Sequence, residues 1–311
     1  MKYIFGPVLS RRLGYSLGVD IIPLKTCTLN CIYCQLGETP HCILIRKPYG
    51  KVEEIIRELK ISLEREKKID WITLSGSGEP TLNSLLGNII REIKKISSIP
   101  VAVITNGTLF YLPEVREDLR YADLVIPSLD AASEEVFQRI NRPPEGLKLK
   151  KVISGLLQFR KDFPGEIWLE IMLVRGVNHG EEELRKIKDI IQRLSPERVH
   201  LNTPVRPPAE DWVTPLSYEE LKRIKEFLGD RVEIIVPSGS GEKHQTAANL
   251  EKELFAILLR RPETIEGILS SLGGERESLE RIIERLLRER KIKKSKFGEK
   301  IYYLVRENIY N

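Results

Sequence analysis

Three of the chain's four cysteines, Cys27, Cys31 and Cys34, lie in the eight-residue segment CTLNCIYC. Three close cysteines cannot all pair as disulfides, and in a reducing compartment clustered cysteines are more often metal ligands. Zinc would need Cys42 or His41 as a fourth ligand, and structural zinc sites usually contain two paired motifs. Three thiolates can instead bind three irons of a [4Fe–4S] cluster and leave the fourth iron open to a chelating ligand. The spacing therefore favours an iron–sulfur cluster, with zinc as the alternative.

The elements that would position these cysteines alternate along the chain. Short apolar runs predict buried strands over residues 17–22, 71–75, 101–105, 124–128, 167–174 and 198–202, with a further candidate at 232–236. Between them, amphipathic stretches predict helices over residues 51–67, 83–97, 148–161, 181–193 and 218–227. Repeated strand–helix units predict parallel strands covered by helices, arranged as a doubly wound sheet or as a barrel.

Polar residues and glycines follow four of the predicted strands. They form the segments SGSGEP at 75–80, NG at 106–107, SLD at 128–130 and NTP at 202–204. One such segment alone could be a simple turn, because Gly, Asn, Asp and Pro are turn residues. The carboxyl ends of parallel strands meet at one edge, where α/β proteins place their chemistry. Four such segments therefore predict a polar site at that edge.

The C-terminal sequence has a different pattern. Residues 237–249 lack an apolar period and predict a linker between a domain at 1–236 and a second one at 250–311. Three helical patterns at 250–260, 263–271 and 275–290, then a hairpin that turns at 297–299, are typical of a winged helix-turn-helix. Residues 285–300 contain eight Lys or Arg and two Glu. This charge predicts contact with nucleic acid, with peptide binding or dimerisation as alternatives.

Length and composition limit the class of protein. The chain has 311 residues, 41% apolar and 31% charged, with a formal net charge of +5. This size suits one large α/β domain with a small appendage. No apolar run reaches the ~18 residues of a membrane span, and the amino-terminal residues do not resemble a signal peptide. We therefore expect a cytoplasmic protein that does not contact a membrane, with a charged fraction typical of thermophiles.

Several segments together resemble the radical S-adenosylmethionine (SAM) superfamily. CTLNCIYC has its Cys-x3-Cys-x2-Cys spacing, and SGSGEPTL, ITNG, SLDAASEEVFQRINRP, LVRGVN and HLNTPVRPP resemble its segments after successive strands. With FGPVLSRRLGYSLGVDIIP in front, they most resemble the Fe–S oxidoreductase branch related to wyosine-type tRNA synthetases. The resemblance covers most of residues 6–205. It implies an α/β fold, a partial (β/α)6 TIM-like barrel, followed here by the small winged-helix domain.

The resemblance implies an activity. Cys27, Cys31 and Cys34 would hold a [4Fe–4S] cluster that receives an electron from a flavodoxin- or ferredoxin-type donor. Reductive cleavage of SAM would give methionine and a 5′-deoxyadenosyl radical, which abstracts hydrogen from a substrate. The sequence does not identify the substrate: RNA, for example tRNA, is one candidate, and a peptide or a small metabolite are the alternatives. Wyosine-type synthetases carry further cysteines for a second cluster, which Cys42 alone cannot hold, so wyosine synthesis itself is not expected.

The resemblance also assigns residues to SAM, most of them near strand ends: Tyr33, Gly76, Ser77, Gly78, Glu79, Asn106, Ser128, Asp130, Arg142, Val174 and Asn202. Tyr33, Val174 and Asn202 would border the adenine. Residues 76–79 would approach the SAM amino group, where glycines allow close backbone contact. The residues after the third and fourth strands would bind the ribose or the carboxylate. Arg142 would pair with the SAM carboxylate or anchor its loop.

The same three cysteines are compatible with a second class of function. A redox-sensing Fe–S regulator could carry the cluster and read DNA with the winged helix. Such a sensor needs no SAM pocket, so Glu79, Asn106 and Asp130 at their strand ends favour an enzyme. Arg11 and Arg12, which precede the first predicted strand, are either a solvated turn or an anion contact near the mouth of the site.

Overall fold

The computed structural model describes residues 2–66, 68–235 and 250–306. The predicted linker at 237–249 lies outside the described residues, as does the last residue of the candidate strand 232–236. In the described part, two separate sheets form, one of eight strands and one of two.

The larger sheet follows the order of the chain. Its strands are β1 (Ile4–Ser10), β2 (Gly14–Val19), β3 (Trp71–Leu74), β4 (Val101–Thr105), β5 (Leu124–Pro127), β6 (Glu166–Met172), β7 (Arg198–Asn202) and β8 (Val232–Ile234). Strands β2 to β8 pair in parallel, and β1 pairs with β2 in the antiparallel direction. Sequential parallel strands require crossover connections, which helices supply here. The predicted α/β class with a parallel sheet is confirmed.

Helices cover the outside of this sheet. They are α1 (Val52–Arg65), α2 (Leu86–Ile96), α3 (Pro113–Leu119), α4 (Glu134–Ile140), α5 (Leu149–Asp162), α6 (Glu181–Leu194) and α7 (Tyr218–Leu228). Helix α2 shows why they pack: Leu86, Ile89, Ile90 and Ile93 are all fully buried. These positions follow the i, i+3, i+4, i+7 spacing that places them on one face.

The predicted and observed elements differ at three places. Strand β1 was not predicted, because Gly6 and Pro7 interrupt its apolar run; its register shifts between Phe5 and Val8. Helices α3 and α4 were not predicted either, because each has only seven residues, two turns in which a helical period is hard to detect. The other predicted elements have the right type, with bounds that shift by a few residues.

The C-terminal module, residues 250–306, has its own small core. It consists of α8 (Leu250–Arg260), α9 (Ile265–Leu272), α10 (Arg276–Arg288) and a hairpin of β9 (Ile292–Phe297) and β10 (Lys300–Val305). Residues from all three helices and both strands form one apolar cluster, which Val8 of β1 joins. Three helices and a hairpin occur where the sequence predicts them; the winged-helix assignment itself stays a prediction.

The module is fixed to the barrel by buried polar contacts as well. Arg260 Nε donates to Asp20, just after β2, over 2.8 Å, and both side chains are buried. The Tyr302 hydroxyl donates to the Val205 carbonyl over 2.7 Å. Asp20 and Val205 both lie just beyond the carboxyl ends of their strands, so the module covers the edge where the polar segments lie. Among the described residues, no helix is long and apolar enough to cross a membrane.

Candidate active site

The strand ends and the C-terminal module enclose a cavity of about 1070 Å³. Its walls include the three clustered cysteines, the segment after β3 and residues of α9, β9 and β10. Pockets for one drug-sized ligand have roughly 300–1,000 Å³. The cavity therefore has room for a cofactor and a second small molecule together.

The cysteine loop is held by backbone hydrogen bonds and by apolar side chains between the cysteines. The carbonyl of Cys27 accepts from the amide of Ile43 over 2.9 Å, and the carbonyl of Cys31 accepts from the amide of Cys34 over 3.1 Å. The side chain of Ile32 is fully buried, and its amide donates to Ile140 over 3.0 Å. The backbone is thus fixed on both sides of the loop, and the three cysteines, none of them in a disulfide, line the cavity.

Two amides contact the thiols. Asn106 Nδ2 lies 3.6 Å from Sγ of Cys27, and Asn141 Nδ2 lies 3.4 Å from Sγ of Cys31. Burial, together with nearby carboxylates, raises the pKa of the Cys27 thiol to about 12 and that of Cys31 well above its usual range. These groups ionise only if a cationic centre compensates their charge, as metal ligation does.

The donor set fits an iron–sulfur cluster. Among the residues that the structure describes, no three His, Cys, Asp or Glu side chains converge closely enough to hold one metal ion. A cluster makes a different demand, because each of its thiolates binds a different iron and the sulfurs stand further apart. Amide donors to ligand sulfurs are also usual around such clusters. The three thiols with Asn106 and Asn141 meet these requirements better than those of a structural zinc site.

Glu79 orders the strand ends beside the loop. Its buried carboxylate accepts hydrogen bonds from the Thr81 amide over 3.0 Å, the Thr105 hydroxyl over 2.5 Å and the Asn106 amide over 2.7 Å. Burial raises its pKa, and these neutral donors only partly oppose that. A Cβ on Gly78 would lie 2.0 Å from the Thr26 carbonyl oxygen, so only glycine fits there. The segment thus packs directly against the cysteine loop.

Asp130 has the same kind of surroundings. The Tyr33 hydroxyl and Asn141 Nδ2 donate to one carboxylate oxygen over 2.5 and 2.8 Å, and the Met172 amide donates to the other over 2.9 Å. Burial raises the pKa of this carboxyl. Asn141 therefore links Asp130 to the thiol of Cys31. Sequence reasoning missed Asn141, whose only signal was its place in the INRP segment after α4.

The remaining residues assigned to SAM occupy different positions. Ser128 and Asn202 line the large cavity, as do Gly76, Ser77, Gly78 and Tyr33. Val174 is fully buried, and its amide donates to Asn178 Oδ1 over 2.8 Å. Arg142 pairs with Glu210, which corresponds to its interpretation as a loop anchor. The structure thus brings most of the predicted residues to one cavity, with Arg142 directed to a carboxylate of the chain itself.

Five arginines line the cavity, and the four that do not pair with Asp20 are here called the arginine side: Arg11, Arg12, Arg206 and Arg261. Arg12 forms a buried ion pair with Glu170 of β6. Arg206 and Arg261 both contact Glu263 of the C-terminal module, at 2.9 and 3.1 Å. The sequence pointed to Arg11 and Arg12 only. Arg206 and Arg261 could not be predicted as site residues, because no local sequence pattern shows that the loop after β7 meets the C-terminal module.

His200 lies next to this arginine side without lining the cavity. It pairs in register with Glu170, and its ring meets Trp168 edge-on at a centroid distance of 5.4 Å. Burial, and then the charge of Arg12, lower the pKa of His200 to about 4. It is therefore neutral near pH 7 and packs as part of the interior.

Sequence comparisons identify the family and relatives of the chain. A family model described as the Radical SAM superfamily matches residues 21–187. The UPF0026 protein MJ1312 of Methanocaldococcus jannaschii is 33% identical, and the alignment covers 98% of this chain and 96% of that protein. A protein named GTPase Obg from Brachyspira hyodysenteriae is 41% identical over 98% of this chain and 45% of its own length. The chain thus spans less than half of that relative.

Structure comparison gives the same fold. The crystal structure of a radical SAM methyltransferase from Sphaerobacter thermophilus superposes with a TM-score of 0.55 at 16% identity. The superposition covers 70% of this chain and 65% of that chain. At this identity the likeness concerns the fold alone.

Proposed function

Because the chain belongs to the Radical SAM superfamily and to the UPF0026 proteins, we propose that Cys27, Cys31 and Cys34 hold its [4Fe–4S] cluster and that SAM binds beside them in the cavity. Together these cofactors supply reductive cleavage of SAM, which delivers a 5′-deoxyadenosyl radical for hydrogen abstraction from a substrate. The observation that carries the proposal is the convergence of the three thiols and the polar strand ends on one cavity.

The chain's own residues would position the cofactors. Asn106 and Asn141 donate toward two of the three sulfurs, and such donors stabilise thiolate charge. Glu79 fixes the Asn106 backbone, and Asp130 fixes Asn141. Gly78 lets the strand-end backbone approach the loop closely, which leaves its polar groups near the proposed SAM site. None of these contacts requires a moving part, so the site is preorganised.

The C-terminal module would close the site from water. Residues of α9, β9 and β10 line the cavity, and Arg260 ties α8 to Asp20 beside the segment after β3. Asp20 in turn accepts from the Ser77 amide and hydroxyl. A primary carbon radical abstracts hydrogen from any C–H or S–H group within reach, so an enclosed site limits side reactions. We infer that the module is part of the active site rather than a separate appendage.

The module also carries the proposed contact with RNA. Lys293, Lys294 and Lys296 of β9 are exposed. Exposed lysines bind phosphates mainly as point charges and without reading sequence. We propose that they help to dock an RNA substrate, consistent with the basic segment 285–300.

Anaerobic reconstitution tests the cluster and its chemistry. Cys27→Ala, Cys31→Ala and Cys34→Ala should each lose most of the bound iron and all formation of 5′-deoxyadenosine from SAM with dithionite. Cys42→Ala is the matched control, because Cys42 does not line the cavity. Iron retained by one of the first three variants, with iron lost in the control, would contradict the ligand assignment.

A further inference from the structure

The arginine side holds more positive than negative charge. Its four arginines share two carboxylates: Glu170, which pairs with Arg12, and Glu263, which contacts Arg206 and Arg261. Two other carboxylates line the cavity, Glu266, which pairs with Arg276, and Glu299; the other lining cations are Lys25, Lys300 and Arg260, which pairs with Asp20. The arginine side itself therefore has an excess of two positive charges, four guanidinium groups against two carboxylates.

Arg11 shows this imbalance most clearly. It donates to the amide oxygen of Asn202 over 3.1 Å, and it forms no ion pair with any carboxylate in residues 2–66, 68–235 or 250–306. Burial, then repulsion by Arg12 and Arg206, lowers its pKa to about 10. A buried guanidinium beside other guanidinium groups costs free energy that a bound anion would recover.

Arg261 has a donor in poor geometry. Its Nε is buried and makes no well-aligned hydrogen bond within the described part of the chain, although Glu263 lies 3.1 Å away, and the Nε of Arg12 also lacks a well-aligned acceptor there. Buried donors without a well-aligned acceptor are rare in folded proteins and call for a specific explanation. Arg206 lies close enough to influence both groups, since its charge contributes to the lowered pKa values of Arg11 and Arg261. The three guanidinium groups thus share one region of positive electrostatic potential.

We propose that Arg11, Arg206 and Arg261 form a subsite for the phosphate of a nucleotide, which is the substrate or part of it. Guanidinium forks match phosphate oxygens, and a phosphate dianion equals the excess charge of the arginine side. Phe297 lines the same cavity and offers a surface on which a base can stack. The subsite rests on the proposed function, because a substrate must meet SAM in this cavity.

Binding by the reconstituted full-length protein, without reductant, tests the subsite. The probes are the four ribonucleoside 5′-monophosphates, the four matching nucleosides and a single-stranded RNA of mixed sequence, titrated by anaerobic calorimetry. At least one phosphorylated probe should bind about tenfold or more tightly than its nucleoside. Arg11→Gln and Arg261→Gln should each remove most of that preference, and Arg11→Lys should keep part of it. The free-nucleotide and RNA titrations show which source supplies the phosphate.

Two controls separate binding at this subsite from phosphate binding elsewhere on the protein surface. Arg160→Gln removes an arginine that pairs with Glu197 outside the cavity, and it should leave the preference unchanged. The double variant Lys293→Gln, Lys296→Gln removes only exposed lysines. Equal affinity for nucleosides and nucleotides would overturn the proposal, as would a preference lost in the lysine variant but kept in both Arg→Gln variants. Formation of 5′-deoxyadenosine is measured separately, so failure of the radical chemistry is distinguishable from failure of phosphate binding.

Discussion

Two regions around the cavity bury carboxylates in different ways. Beside the cysteines, Glu79 and Asp130 accept hydrogen bonds only from hydroxyl and amide groups among the described residues. On the arginine side, Glu170 and Glu263 contact guanidinium groups. Burial raises the pKa of the first two carboxyls. Burial would also raise the pKa of Glu170 and Glu263, but the arginines outweigh it and lower both values.

The difference shows that the role of a buried carboxylate depends on whether its partners are neutral or positively charged. A carboxylate with neutral donors fixes the direction of amides and hydroxyls without bringing a fixed cation next to the thiols. A carboxylate paired with arginine holds a guanidinium in the interior, where it can serve an anionic ligand. The region around the three cysteines, here called the cysteine side, thus fixes the positions of neutral groups, whereas the arginine side holds positive charge. Matched substitutions on the two sides should therefore have unequal effects on stability.

Glu170→Gln should have the largest effect on stability. It leaves Arg12 buried without its carboxylate, and removing one partner of a buried ion pair typically costs about 3–5 kcal/mol. Urea unfolding of the cluster-free protein at pH 7.5 measures the loss. The double variant Glu170→Gln, Arg12→Met should recover much of it, because no unpaired charge then remains. A loss below ~1 kcal/mol for the single variant would mean that solvent reaches Arg12.

Acidification should weaken the arginine side through His200. Its pKa of about 4 lies below the usual value of 6.5, so the unfolded chain binds the proton more readily than the folded chain. Stability is therefore unaffected above pH 6.5 and falls as the pH drops from there toward 4. The expected loss between pH 7.5 and pH 5 is about 2 kcal/mol.

The same pH series with His200→Gln checks the assignment. This variant should lack the His200 contribution and show a shallower loss over the same interval. Equal slopes in the parent protein and the variant would show that His200 is charged, or solvated, in the folded state.

Glu79→Gln should have the smallest effect. The glutamine oxygen still accepts from Thr81 and Thr105, while its NH2 group replaces the oxygen that accepts from the Asn106 amide, so the loss should be ~1–2 kcal/mol, within the range for one buried donor left without an acceptor. Measured under the same conditions as Glu170→Gln, it gives the direct contrast between the two sides. A loss equal to that of Glu170→Gln would remove the distinction between them.

The cysteine side could be predicted from sequence, and the arginine side largely could not. The thiols, Glu79 and Asp130 follow apolar runs whose ends must meet at one edge of a parallel sheet, so local patterns suffice. Arg11 meets Asn202 across 191 residues of sequence, and no local pattern specifies such a contact. Asn141 escaped prediction for a related reason: its importance lies in linking Cys31 and Asp130, which only the folded loop brings together.

The ion pair between Asp20 and Arg260 also sets an order of events during synthesis. The two residues are 240 positions apart, so at the usual 5–20 residues per second a ribosome needs roughly 10–50 s to make the second after the first. Throughout that interval Asp20 lacks its cation and Val8 lacks its apolar neighbours from the module. The edge of the nascent barrel therefore stays incomplete until the helices of the C-terminal module have been synthesised. A stalled or truncated translation product would expose that edge to chaperones and proteases.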